Sequence, residues 1–179
     1  MCRIVLVMSK FSCGGLVAIV FALVGCGMGL AGGLSEAEDL AVEACGMTPP
    51  DASGGDGWVA PDLDPSITSW TIGDPIAELV DRNENWGTAA VLANRAAQRD
   101  SRFDGLSGVT RSLSSATARV VSWAQSDPSK HSRVVELPYS DPFVQQGNAI
   151  ESEIIEPYNA DLLSYKIECN ALADDLNGG

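Results

Sequence analysis

A long stripe of apolar residues near the C-terminus restricts the fold more than any other feature of the sequence. The stripe recurs mostly at alternating steps of three and four, and it consists of Phe143, Ile150, Ile154, Tyr158, Leu162, Tyr165, Cys169, Leu172 and Leu176. This spacing places the side chains on one face of an α-helix. A helix with an apolar face along its length must pack against other elements, so the sequence predicts a helical bundle.

Aspartate–proline pairs mark the ends of several elements. Asp74-Pro75 and Asp141-Pro142 each offer a capping side chain followed by proline at the first helical position. Asp127-Pro128 marks the end of a helix predicted from Phe103 to Gln125. Gly87 is expected to break or kink the helix that begins at Asp74-Pro75, and Pro157 to kink or split the last helix.

Two further helices and one long loop complete the pattern. Ser35 followed by Glu38 has the spacing of a capping box, and Gly46 stands where that first helix should end. Apolar spacing predicts another helix from Phe103 to Gln125. Residues 47–73 are rich in Pro, Gly and Asp and have no sustained period. The predicted fold class is all-α, a small bundle of four or five helices with a long Gly/Pro/Asp-rich loop after the first helix.

The N-terminal segment has a different composition. Its only charged residues up to Leu34 are Arg3 and Lys10, both basic, and an apolar stretch from Leu16 to Leu23 follows them. Leu23-Val24-Gly25-Cys26 resembles, at all four positions, the lipobox of bacterial lipoprotein signal peptides. That resemblance covers the N-terminus alone and implies cleavage before Cys26 and lipidation of this residue, which anchors a protein to the membrane.

This resemblance implies a signal peptide over residues 1–25, a lipidated tether over 26–34 and a single helical domain over 35–179. The expected location is the cell envelope, outside the cytoplasm. Two alternatives stay open: secretion after cleavage behind Ala31, and a single spanning helix from Phe11 to Leu34, which the glycines of this stretch weaken.

Charge is distributed unevenly along the mature chain. Without residues 1–25 it has 9 basic and 24 acidic side chains, a surface that repels nucleic acid. Residues 82–133 hold eight of the basic side chains. We expect this basic hairpin to pack between the acidic first and last helices through exposed ion pairs. The alternative is a basic face, with Arg95 and Arg99, that binds anionic lipid or a cell-wall polymer.

Only two cysteines remain in the mature chain besides Cys26. Cys45 follows the first helix, and Cys169 lies in the apolar stripe of the last one. Because an exported protein meets an oxidising compartment, we predict a disulfide between them, with two buried free thiols as the alternative.

The sequence contains no common catalytic motif, so a non-enzymatic role without a cofactor is the preferred interpretation. His131, the single histidine, lies in a polar segment and is predicted to be solvated. After it, Val134 to Leu137 is expected to be an extended connection over the bundle. An envelope enzyme that acts on a cell-wall or carbohydrate substrate through paired carboxylates is the alternative. Its candidate acids are Glu151, Glu153, Glu156, Asp62 and Asp64.

The loop after the first helix offers candidate binding residues. Trp58 and Trp70 can stack on a sugar or contact a protein partner, unless they fold back to cover the end of the bundle. Trp86 and Trp123, at helical positions, are expected in the core. Carboxylates of the same loop suit a hard cation such as Ca²⁺, which makes a tethered small-ligand or Ca²⁺-binding protein a further alternative. These carboxylates are Asp51, Asp56, Asp62 and Asp64.

The preferred function is therefore a lipid-anchored binding module whose partner is a protein or an envelope component. The lipid anchor is tested by the intact mass of the protein extracted from membranes of its native host. We expect a chain that starts at Cys26 and carries acyl groups, and we expect Cys26→Ala to lose them because the thioether requires the thiol. An unmodified start near Gly32 would instead indicate secretion, and an intact N-terminus a spanning anchor.

Overall fold

Helices account for most of the described chain in the computed structural model, which describes residues 33–50, 57–62 and 71–178. Five α-helices and no β-strand occur within these ranges. The helices are α1 (Glu36–Ala44), α2 (Ile76–Arg99), α3 (Asp104–Ser126), α4 (Pro128–His131) and α5 (Pro142–Gly178). The predicted all-α bundle is confirmed.

The two helices of the basic hairpin, α2 and α3, pack between the acidic helices α1 and α5, as predicted from the distribution of charge. A 3₁₀ turn, Ser101–Phe103, joins α2 to α3, and these two helices pack against each other. The first helix, α1, packs on α2, and α5 packs on α3. The core lies between them, and its largest fully buried side chains include Tyr158, Leu106, Leu113 and Val120.

Capping residues fix several helix ends as predicted. Ser35 and Glu38 form the capping box of α1: Ser35 Oγ accepts from the Glu38 N–H at 3.2 Å, and Glu38 Oε2 accepts from the Ser35 N–H at 2.8 Å. Gly46 follows with a φ of 59°, a left-handed conformation that glycine adopts without strain. At the start of α5, Asp141 Oδ1 accepts from the Phe143 N–H at 2.8 Å.

Asp74 does not cap α2, which corrects the prediction. Pro75 occupies the N-cap position, without a capping side chain. The Asp74 carboxylate instead accepts from the backbone N–H and the hydroxyl of Thr71, both at 3.0 Å, and lies 3.6 Å from Arg82. Its oxygens therefore stabilise the turn before the helix, since aspartate readily bonds nearby backbone groups.

Neither of the two predicted interruptions ends its helix. Helix α2 continues through Gly87, and α5 is not split at Pro157. Proline removes one backbone hydrogen bond, but Ile154 and Tyr158 on either side of it are buried in the core. Glycine costs only about 1 kcal/mol relative to alanine in a helix. Tertiary packing outweighs both local penalties.

The predicted disulfide joins Cys45, which follows α1, to Cys169 in α5. Both residues are buried. One turn before Cys169, the Tyr165 hydroxyl donates to the Ala44 carbonyl at 3.0 Å. The bridge therefore links the N-terminal helix to the last helix, although the two cysteines are 124 residues apart in the sequence.

Replacement of both bridge residues, Cys45→Ser with Cys169→Ser, tests what the bridge contributes. We expect the free energy of unfolding to fall by about 2–5 kcal/mol, because the bridge restricts the unfolded chain. Guanidinium titration followed by circular dichroism measures the change. The natural protein unfolded in reductant is the matched control and should lose the same amount. An unchanged midpoint in both would mean that the bridge is not needed for stability.

Candidate functional site

An open groove runs between α3 and α5. It consists of two adjoining cavities of about 500 and 590 Å³, and both are lined by Ser115 and Arg119. On α3 the lining extends from Gly108 to Ser126. At 1.5 Å per residue that stretch is roughly 27 Å long. Cavities of this volume suit a small ligand, and the length suits a segment of polypeptide.

The groove exists because small side chains on α3 face larger ones on α5. The small residues on the α3 side are Gly108, Ser112, Ser115, Ala116, Ala118, Ser122 and Ser126. Opposite them, Ile150, Ile154 and Tyr158 of the apolar stripe form the floor. The floor is apolar and the edges are polar, as in many binding sites.

Charged residues are arranged asymmetrically around the groove. Arg119 pairs with Glu153 across it at 2.6 Å, and both side chains are exposed. Nearby, the Ser112 hydroxyl donates to Asp161. Arg111 contacts only the Ser107 hydroxyl, at 3.2 Å, and forms no ion pair within the described part of the chain. A guanidinium group is therefore available at the groove for an anionic group of a ligand.

Pro157 lies in the same wall. It lines the first cavity and has no N–H to donate to the Glu153 carbonyl one turn earlier. The helix wall of the cavity therefore lacks one backbone hydrogen bond at this point.

Trp123 lines the second cavity of the groove. Its ring stacks on Phe143 with 4.7 Å between centroids, and its Nε1–H donates to the Phe143 carbonyl at 3.1 Å. A Cβ atom at position 147 would lie 2.4 Å from Trp123 Cζ2. Gly147 therefore lets the indole ring pack directly against the backbone of α5. Trp86 is buried as well, so both tryptophans predicted for the core are there.

His131 is buried, and the prediction of a solvated histidine is wrong. Its residue exposure is 4%, and its ring contacts those of Trp123 and Phe143 at centroid distances of 5.3 and 6.5 Å. Burial lowers its pKa below the ordinary value, although the charge of Asp74 acts in the opposite direction. The cause is α4, which folds this polar segment back onto the end of α3.

The segment after His131 also differs from the prediction. Val134–Glu136 forms a 3₁₀ turn rather than an extended connection. Val134 is buried, whereas Val135 is exposed. The turn therefore anchors the connection to the core through one side chain.

The candidate residues of the long loop are only partly described. Trp58 is half-buried and packs against the core, as the folded-back alternative expects. Its backbone N–H and carbonyl bond the Asn177 side-chain amide at 2.7 and 2.9 Å. Asp62 pairs with Lys166 at 2.7 Å. Trp70, Asp51, Asp56 and Asp64 lie outside the described residues, and no cluster of three potential metal ligands occurs within them.

The basic hairpin lies against the acidic helices. Arg99 pairs with Glu36 of α1 at 2.6 Å, and Arg102 pairs with Glu38 at 3.1 Å. The hydrogen bond from Arg99 lowers the pKa of Glu36. Arg95 is exposed and lies close enough to Glu36 to favour its charged form. A binding role for Arg95 and Arg99 stays a prediction, although Arg99 already has a partner.

Carboxylates for catalysis require raised pKa values or a close pair. In the described chain, the carboxyl groups with displaced pKa values are displaced downward by hydrogen bonds and basic neighbours, and these groups are Glu36, Glu38, Asp100, Asp127 and Asp141. Among the candidate acids, Glu153 lines the groove but is paired with Arg119. At the groove, the Glu153 carboxylate therefore has an arginine rather than a second acid as its ion-pair partner.

Gly147→Ala tests the packing of the Trp123 ring against the backbone of α5. We expect it to lower the free energy of unfolding by about 1–3 kcal/mol, because the new methyl group overlaps the Trp123 ring. Gly108→Ala is the matched control, since nothing lies within 4 Å of its added Cβ. It should stabilise the helix by about 0.5–1 kcal/mol. Thermal or denaturant unfolding of both variants gives the comparison; destabilisation of equal size would contradict the packing argument.

Among the described residues, none of the helices is both long enough and apolar enough to span a membrane. Residues 1–32, which include the lipobox and most of the alternative spanning segment, lie outside the described residues. No family model, no curated protein and no solved structure matches this chain. The groove and the disulfide are the structural features that bear on its function.

Proposed function

We propose that the protein is a lipid-anchored, extracytoplasmic module that binds a protein or envelope component in the groove between α3 and α5. The disulfide between Cys45 and Cys169 supports the location, because structural disulfides persist in oxidising compartments and are rare in the cytosol. The lipobox sequence that ends at Cys26 supports the same location. The groove supports the binding role.

The proposed anchor sets the distance between membrane and bundle. Nine residue steps separate Cys26 from Ser35, which caps α1. A fully extended chain of that length reaches about 30 Å. The bundle would therefore stay close to the membrane surface, where its partners would be membrane-bound or envelope components.

The groove itself carries the argument for binding. It is open along roughly five helical turns of α3, and one exposed ion pair, Arg119 with Glu153, crosses it. An exposed pair contributes only about 0–1 kcal/mol, so a ligand can displace it at little cost. Apolar side chains of the ligand would contact Ile150 and Ile154 on the floor.

The charges at the groove and on the mature chain restrict which chemical groups a partner can present. Arg111 offers an anionic group a bidentate contact. The mature chain, however, has far more acidic than basic side chains, so a densely anionic polymer would be repelled. A polypeptide segment with apolar side chains and an isolated carboxylate fits both conditions. Such segments commonly bind in helical grooves.

Site-specific photocrosslinking in the native host tests the proposal. A photoreactive residue at Ser115, where the two cavities meet, should capture an envelope component. The same residue at exposed Val91 of α2 is the matched position outside the groove and should capture nothing comparable. The expected adduct migrates as a discrete band, which mass spectrometry identifies.

Charge reversal separates the groove from the other basic surface. With the photoreactive residue at Ser115, Arg111→Glu should lower the adduct yield at least severalfold, because it removes the guanidinium that meets the ligand. Arg95→Glu makes the same charge change on α2 and should leave the yield intact. Equal adducts from Ser115 and Val91, or an adduct unaffected by Arg111→Glu, would contradict binding in the groove.

A further inference from the structure

One buried polar atom in the described chain has no hydrogen-bond partner, and it is Nε2 of His131. The imidazole ring lies between α4 and the aromatic rings of Trp123 and Phe143. A buried polar group without a partner costs free energy, and a buried charge without one costs considerably more. Burial therefore favours the neutral ring over the protonated ring in this position.

We propose that His131 is a pH-sensitive anchor: protonation of its buried ring releases α4 and the connection that follows it, residues 128–141, from the end of α3. This anchor is a property of the fold and does not depend on what the groove binds. It does bear on the groove, because Trp123, which His131 covers, lines the second cavity.

Within the described part of the chain, the acidic groups around the ring are already engaged with other partners. Asp74, before α2, acts on His131 through its charge but forms an ion pair with Arg82. Lys130 on α4 pairs with Asp141 at 3.1 Å, and Asp127 is engaged as the cap of α4. Arg133 and Glu136 follow in the connection.

The neighbouring helices contribute no charge close by. Residues 120–126 at the end of α3 and residues 142–150 at the start of α5 contain no charged side chain. A protonated imidazole therefore gains most by moving into water. Its ring would then no longer cover Trp123.

The segment has little else to hold it. Helix α4 has only four residues, and isolated helices of that length are not stable in water. Apart from His131, its anchors within the described chain include the buried side chain of Val134, the partly buried side chain of Leu137 and the partly exposed Lys130–Asp141 ion pair. Loss of the histidine contact can therefore release the segment while the disulfide-linked helices stay folded.

The direction of the pH dependence follows from burial. Because folding lowers the pKa of His131, the unfolded chain binds the proton more readily. The contribution of the neutral ring is complete above the ordinary pKa of 6.5 and is lost as the pH falls below it. Ordinary Asp and Glu side chains titrate near pH 4. His131 is the single histidine of the chain, so the interval from pH 7 to 5 isolates its side-chain titration.

The experiment follows this titration by NMR in the full-length protein. We expect the His131 ring protons to report a pKa below 6.5, and the amide signals of residues 128–141 to shift or broaden over the same pH range. Amide signals of α2 should stay unchanged. A pKa of 6.5 or higher, or an amide response spread evenly over the bundle, would overturn the proposal.

Unfolding measurements provide the variant test. From pH 7 to 5 the unfolding equilibrium constant of the natural protein should rise by up to about tenfold for each unit by which folding lowers the pKa. His131→Phe, which keeps an aromatic ring, and His131→Gln should both lose this dependence. Lys130→Gln is the matched control: it breaks an exposed pair of the same helix and should lower stability equally at both pH values. Parallel pH profiles for the natural protein and both His131 variants would refute the anchor.

Discussion

Packing of α5 along the bundle is the interaction on which the rest of the structure depends. Tyr158 on its apolar stripe is fully buried and accepts a hydrogen bond from Trp86 Nε1 of α2 at 3.1 Å. Tyr165 meets the Trp86 ring edge-on and bonds the last residue of α1 through its hydroxyl. Cys169 completes the link to α1. One helix therefore determines where the other long elements lie, which is why packing overrides the proline within it.

The same packing creates the groove. Along its buried edge α5 presents large side chains, and where it faces the small residues of α3 the two surfaces cannot fill the space between them. Beside the second cavity, Trp123 packs against the backbone of α5, which requires glycine at position 147. The groove is thus a consequence of the mismatch in side-chain size between the facing surfaces of α3 and α5.

Sequence patterns predicted the features that depend on local spacing. Helix α1 with its capping box, the ends of α3 and the start of α5 follow from side chains that act within one turn. The disulfide followed from the number of cysteines. The prediction of a solvated His131 was wrong, and the helices continue through Gly87 and Pro157, because contacts distant in sequence stabilise states that local preference disfavours. The groove was missed because it depends on which faces of α3 and α5 meet.

The alternation of charge along the chain agrees with the packing of the basic hairpin against α1 and α5. Arginines of the hairpin contact acids on both sides, Arg99 on α1 and Arg119 on α5. Each exposed pair contributes too little to hold the bundle together, so these contacts select the arrangement of helices rather than stabilise it. An arginine that forms no ion pair within the described chain costs the fold equally little. Arg111 can therefore stay exposed at the groove, where its hydrogen-bonding capacity is available to a ligand.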